Sequence, residues 1–166
     1  MHALFARHNV RVFRFLMGRV RNEATAEELT NEVFLEVWRN AGRYEGRAAV
    51  STWLLAIAHN KAMSQMRRKS ESELEDEAAE QVADTSDDPE ESEQKRSKAQ
   101  IMREVIETLS DEHREVIDLV YYHEKSVREV AEIADIPEAT VKTRMHYARK
   151  KLGELMREAG IDRGWP

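Results

Sequence analysis

The sequence predicts an all-α protein: two small helical domains joined by a flexible acidic linker. Three observations carry that reading. Glycine (6) and proline (3) are scarce among 166 residues, and no alternating apolar–polar run marks a strand. Apolar residues recur instead at helical spacing in two separate blocks. Between the blocks, residues 70–98 hold 12 acidic and 3 basic side chains and almost no large apolar ones. Such a stretch cannot repay the entropy of ordering its backbone, which makes it a linker.

The net charge of −6 argues, taken whole, against a nucleic-acid binder. Its distribution argues the other way. Residues 1–69 carry net +6, residues 70–98 net −9 and residues 99–166 net −3. Within the last block, 137–152 has five basic residues against one glutamate, so positive charge is concentrated on one element. There is no cysteine, which fits a reducing compartment and excludes a thiolate zinc site. No run of eighteen apolar residues exists and the N-terminus lacks a signal-peptide core, so a soluble, cytoplasmic protein without membrane insertion is expected.

Taken in order, the first helix is expected over about 1–20. Leu4, Phe5, Val12, Phe15 and Leu16 oppose Arg7, Arg11, Arg14 and Arg19. Thr25-Ala26-Glu27-Glu28 has the form of a capping box for a second helix over about 26–41. That helix is more apolar than one face needs, so it is either central to a bundle or partly an interface. Residues 42–50 read as a loop with two glycines, one aromatic and two arginines. Ser51 or Thr52 would then cap a long helix ending near Lys69. Trp53, Leu54, Ile57, Ala58, Ala62 and Met66 form its inward stripe. His59, Asn60, Lys61, Ser64, Gln65, Arg67, Arg68 and Lys69 form its outward one, a candidate nucleic-acid surface. After the linker, Ile101, Val105, Ile106 and Leu109 start a second bundle, and Ser110 caps the helix that follows, with Asp111 and Glu112 in its first turn.

The most informative stretch is 126–152. Ser126-Val127-Arg128-Glu129 is a capping box, followed by Val127, Val130, Ala131 and Ala134 at helical spacing. Asp135-Ile136-Pro137 breaks the pattern, with Asp135 as a tolerated left-handed residue and Pro137 suited to a first turn. In the next helix Val141, Met145, Ala148 and Leu152 make one buried stripe. The other face carries Thr140, Lys142, Thr143, Arg144, His146, Tyr147, Arg149, Lys150 and Lys151. This is a helix-turn-helix arrangement whose second helix suits the DNA major groove. Nothing points to catalysis, a metal or a cofactor. The six histidines show no metal-binding spacing, and there is no phosphate loop or nucleophile elbow.

With these blocks laid out, the chain resembles an extracytoplasmic-function (ECF) sigma factor, the small group IV subfamily of bacterial RNA polymerase sigma factors. AEELTNEVFLEVWR (26–39) is similar to region 2.2, VSTWLLAIAHNKAMSQMRRK (50–69) to regions 2.3 and 2.4, and 109–152 to region 4. The resemblance implies a division into sigma region 2 (1–69), an acidic disordered linker (70–98), sigma region 4 (99–160) and a tail (161–166). It implies docking on core RNA polymerase, through the β′ coiled coil and the β flap, and control by an anti-sigma factor. Glu28, Asn31, Glu32 and Leu35 are the residues expected to bind polymerase. In region 2, Arg47, Trp53, His59, Asn60, Lys61, Ser64, Arg67 and Arg68 are expected at the −10 element. In region 4, Thr140, Lys142, Thr143, Arg144, His146, Tyr147, Arg149 and Lys150 are expected at the −35 element. Opening about ten base steps costs on the order of 14 kcal/mol. A domain this small can trap unstacked bases but cannot open the duplex unaided, and the loop 43–52 backed by Asn60 and Lys61 is the expected trap. The linker would thread toward the RNA exit channel. The alternative is a polymerase-independent helix-turn-helix regulator whose N-terminal block is a dimerisation or sensor domain.

Overall fold

The computed structural model describes residues 1–77 and 97–161; all of the described secondary structure is helical or turn. The N-terminal bundle is α1 (His2–Val20), α2 (Glu23–Asn40) and α3 (Val50–Glu77). A single 3-10 turn, Ala41–Arg43, leads from α2 into the loop. The C-terminal bundle is α4 (Lys98–Glu107), α5 (Asp111–Ile117), α6 (Val127–Ala134) and α7 (Glu138–Glu158), with a π-helical stretch, Asp118–Tyr122, running on from α5.

The helix starts follow from local chemistry, with two corrections to the sequence reading. α2 begins at Glu23 rather than near Ala26. Asn22 is the cap, its side chain accepting the Thr25 N–H at 2.9 Å, so Thr25 lies inside the helix and Glu28 completes no capping box. α3 begins at Val50, which puts Ser51 and Thr52 inside its first turn. Their hydroxyls reach the other bundle instead of capping. α3 also runs past Lys69 to Glu77, so the first eight residues assigned to the linker are helical. Ser70–Glu77 is rich in glutamate, a good helix former, and Lys69 pairs with Glu73 one turn on at 3.7 Å. At its other end Ser97 caps α4 and Lys98 begins it, so the helix starts inside the expected linker; the remainder, 78–96, and the tail beyond Ile161 lie outside the described residues.

In the N-terminal bundle Phe15, Leu16, Val33, Val37, Leu54 and Leu55 are fully buried, each removal from water being worth about 1.5–3 kcal/mol. Phe5 meets Phe34 edge-on at 4.9 Å and ties α1 to α2. In the C-terminal bundle Leu119, Val130, Ile133, Val141, Ala148 and Leu152 fill the interior between α5, α6 and α7. The two bundles are in contact: α6 lies along α3, and α5 touches α1.

Candidate nucleic-acid interface

The helix-turn-helix forms for the reasons its sequence suggests. Ser126 Oγ accepts the Glu129 N–H at 3.2 Å, and Glu129 Oε2 accepts the Ser126 N–H at 2.9 Å. α6 ends at Asp135, in the left-handed region at φ 51°, and the Ile136 N–H closes back on the Ala131 carbonyl at 3.1 Å. Pro137 then precedes α7, its carbonyl accepting from Thr140 and Val141. Val141, Met145, Ala148 and Leu152 are buried, which fixes the rotation of α7 and turns its other side outward.

Of the residues expected at the −35 element, Lys142, Thr143, His146, Tyr147, Arg149 and Lys150 are exposed along that outer side, while Thr140 is half-buried. Lys142, His146, Arg149 and Lys150 converge with Lys125, Ser126 and Val127 on one concavity of about 680 Å³. Two basic side chains of α7 are held by residues of the π-helical stretch and α5. Arg149 Nε donates to the Tyr121 hydroxyl at 2.9 Å, and its guanidinium lies 5.7 Å from that ring's centre. Arg144 turns away and pairs with Glu112 at 3.1 Å, so it does not join the outer face. Thr143 donates its hydroxyl hydrogen to the Ala139 carbonyl at 3.0 Å. No periodicity links 121 to 149 or 112 to 144; such pairs exist only once α5 packs on α7.

The residues expected at the −10 element divide into three places. Asn60, Lys61, Ser64 and Arg68 line a cleft of about 260 Å³ between α3 and α2, facing Glu32 and Glu36. Lys61 spans it, 2.9 Å from Glu36 and 3.4 Å from Glu32. Arg67 is exposed beside this cleft. Arg47 and Trp53 belong to the loop end of α3. Trp53 stacks on Tyr44 at 4.8 Å, the Tyr44 hydroxyl donates to the Ala48 carbonyl at 2.5 Å, and exposed Arg47 pairs with Glu45 at 2.7 Å. The partner that backs Asn60 and Lys61 is therefore α2, whereas the loop closes over Trp53. His59 is the third case. Expected on the outward face, it is buried, with Nδ1 2.5 Å from Glu115 Oε1 of the C-terminal bundle. The outward stripe of α3 is correct for Asn60 and Arg68 and fails at His59, because α6 and α5 cover that side.

On α2, Glu28, Asn31, Glu32 and Leu35 are all exposed, and Trp38 extends the same stripe with 65% of its surface in water. A tryptophan left this open is the unpartnered apolar surface that the excess hydrophobicity of this helix implied. Among the described residues no group of acidic, histidine or cysteine side chains could hold a metal ion, and no helix is long and apolar enough to cross a membrane.

Comparison with known proteins matches these two bundles to two parts of one family. Residues 4–72 match the family model for Sigma-70 region 2, and residues 105–154 match Sigma-70, region 4. The RNA polymerase sigma factor CarQ of Myxococcus xanthus is 31% identical over 159 residues, covering 96% of this chain and 90% of the relative. The ECF RNA polymerase sigma factor SigK of Mycobacterium sp. (strain KMS) is 32% identical over 149 residues, covering 86% and 76%. The fold resembles the sigma factor RpoE, solved in complex with the anti-sigma factor NepR from Bartonella quintana, with a TM-score of 0.74, 23% identity and 96% of each chain covered. Both halves of the family lie in the expected order, and relatives at this identity align over nearly the full length: the chain belongs to the ECF RNA polymerase sigma factors.

Proposed function

We propose that this chain is the promoter-specificity subunit that α7 and α3 together describe. It docks on core RNA polymerase through the exposed face of α2, reads the −35 element with α7, and holds the opened −10 strand along the α2–α3 cleft. The observation that supports this reading best is the outer side of α7. Lys142, Arg149 and Lys150 meet there with His146 and with Lys125 in one concavity, while the apolar stripe behind them is fully packed. In this reading Lys142 and His146 meet base edges, and Arg149 and Lys150 hold phosphates, which position a protein without reading sequence. On α2, Glu28, Asn31, Glu32, Leu35 and Trp38 offer carboxylates beside apolar surface, which suits a basic, partly apolar helical partner. The chain catalyses no reaction itself. It acts in the cytoplasm with the polymerase, and an anti-sigma partner holds it inactive by covering these surfaces.

In-vitro transcription with purified core polymerase tests the reading. Promoter-dependent initiation on genomic template, weakened by Lys142→Ala, is the expected result. No initiation on any template, together with tight binding to a palindromic duplex without polymerase, would favour the independent regulator instead.

A further inference from the structure

The polar side chains buried where the two bundles meet include Arg19, Thr52, His59, Glu115 and Lys125, each at most 8% exposed, and His123, whose ring meets Phe15 of α1 at 5.8 Å. Lys125 Nζ donates to Ser51 Oγ at 2.7 Å and to Thr52 Oγ1 at 3.1 Å; Thr52 in turn donates to Glu129 Oε1 at 2.9 Å. Glu115, on α5, lies between His59 of α3, at 2.5 Å, and Arg19 of α1, whose Nε is 3.6 Å away. That Nε is buried and makes no hydrogen bond among the described residues. Burying ions consumes most of what their attraction returns, so these ion pairs add little net strength to the contact between the bundles. This seam also joins blocks of opposite net charge, +6 over residues 1–69 and −3 over residues 99–166.

The partners of Glu115 are the informative part. A guanidinium and an imidazole on two different helices converge on one carboxylate oxygen. The Arg19 Nη atoms donate to the Asp111 carbonyl at 3.0 Å and to Met63 Sδ at 3.3 Å, which leaves the Nε, with the His59 ring, to face an anionic oxygen; a phosphodiester oxygen is one such anion. Asn60 lines the open α2–α3 cleft, and His59, the preceding residue of α3, faces the seam beside it. We infer that Arg19 and His59 form a binding site for a backbone phosphate of the promoter strand, and that Glu115 occupies this site in the closed protein as a stand-in anion. The inference rests on the reading of α3 as a DNA-facing helix. It adds Arg19, a residue of α1, to the nucleic-acid surface. It also makes the C-terminal bundle an inhibitor of the N-terminal one: the closed chain presents α7 but withholds this part of α3 until the bundles separate.

Fluorescence anisotropy of the full chain with a short fluorescein-labelled single-stranded oligodeoxynucleotide tests this, with small-angle scattering to follow opening. Glu115→Gln is expected to enlarge the particle and tighten oligonucleotide binding. If the wild type is open in about a tenth of molecules, the gain is about tenfold. Glu115→Lys, which repels both cations, should produce the same opening. In the Glu115→Gln background, Arg19→Met with His59→Met should return affinity to the wild-type level. Unchanged affinity in both Glu115 variants would overturn the assignment. So would a gain that survives loss of Arg19 and His59, since that would be a general charge effect. Promoter-dependent transcription by the wild type, measured in parallel, separates this failure from failure of the underlying sigma reading.

Discussion

α7 and the 50–69 part of α3 both cluster basic side chains beside an apolar stripe, yet the fold treats the two helices differently. α7 packs on one side only, through Val141, Met145, Ala148 and Leu152, and its whole outer side stays open. α3 packs on two sides, against α1 and α2 and against α6, so only an edge remains for a ligand. That edge is shared with carboxylates: Lys61 lies between Glu32 and Glu36, whereas on α7 Arg144 is the residue paired with a carboxylate of another helix, Glu112 of α5. A helix with one apolar stripe advertises its reading face. A helix gripped from both sides keeps part of its polar surface covered.

The largest test of that contrast is in the cores. Leu55→Ala, on the doubly packed helix, and Leu152→Ala, on the singly packed one, should each cost about 2–5 kcal/mol in chemical denaturation. If the seam couples the bundles, each variant shifts one common transition. Two separate transitions, each sensitive to one variant, would show that the seam carries no cooperativity. Next in size is recognition. Lys142→Ala should cost about 1–3 kcal/mol of discrimination at the −35 element, measured as competition between cognate and mutated duplex with the polymerase holoenzyme. Lys150→Ala should instead lower affinity for all duplexes alike and reduce the salt slope by about 1. Equal loss of discrimination in both variants would contradict the division of roles on α7.

Much of α7 was legible because its determinants are local. The Ser126–Glu129 box, the left-handed Asp135, Pro137 and the stripe from Val141 to Leu152 all act within a few residues of one another. The misreadings come from three physical sources. Asn22 competed successfully with Thr25 as a cap, although both are good cap residues. Residues 70–77 have no core to join, but their intrinsic helix preference suffices to extend a helix that is already nucleated. His59 was placed outward because helical periodicity registers a single buried face, while the pairing of His59 with Glu115 spans 56 residues. The same limit hid Tyr121 beneath Arg149 and Arg19 beside Glu115.

The capping box offers a smaller test at the base of the seam. Ser126→Ala should cost about 1 kcal/mol of stability, and should loosen Glu129, which also holds Thr52 of α3. The smallest effect expected is a change in acid response. The Ser126 backbone N–H, and beyond it the Thr52 hydroxyl and the Lys125 charge, hold the Glu129 carboxyl below its ordinary value of 4.5. A carboxyl lowered by folding stabilises fully above its unfolded value, and that contribution is lost as pH falls through its folded one. Glu129→Gln should therefore flatten the acid limb of thermal stability below pH 4.5. His8 adds a slope at higher pH. Burial and the charges of Arg11, Arg7 and Lys125 lower its value from 6.5, so the unfolded chain takes up the proton first and stability falls as pH drops below 6.5. His8→Gln should remove that slope.

The most direct test of the central claim is permanganate footprinting of unpaired thymines, with nuclease protection alongside, on a promoter bound by polymerase carrying this chain. Two surfaces that act separately predict that Asn60→Ala with Arg68→Ala abolishes the reactive bubble while protection of the −35 element remains. A bubble that forms unchanged in that variant, or protection that disappears together with it, would contradict the assignment of α3 to strand capture and α7 to duplex reading.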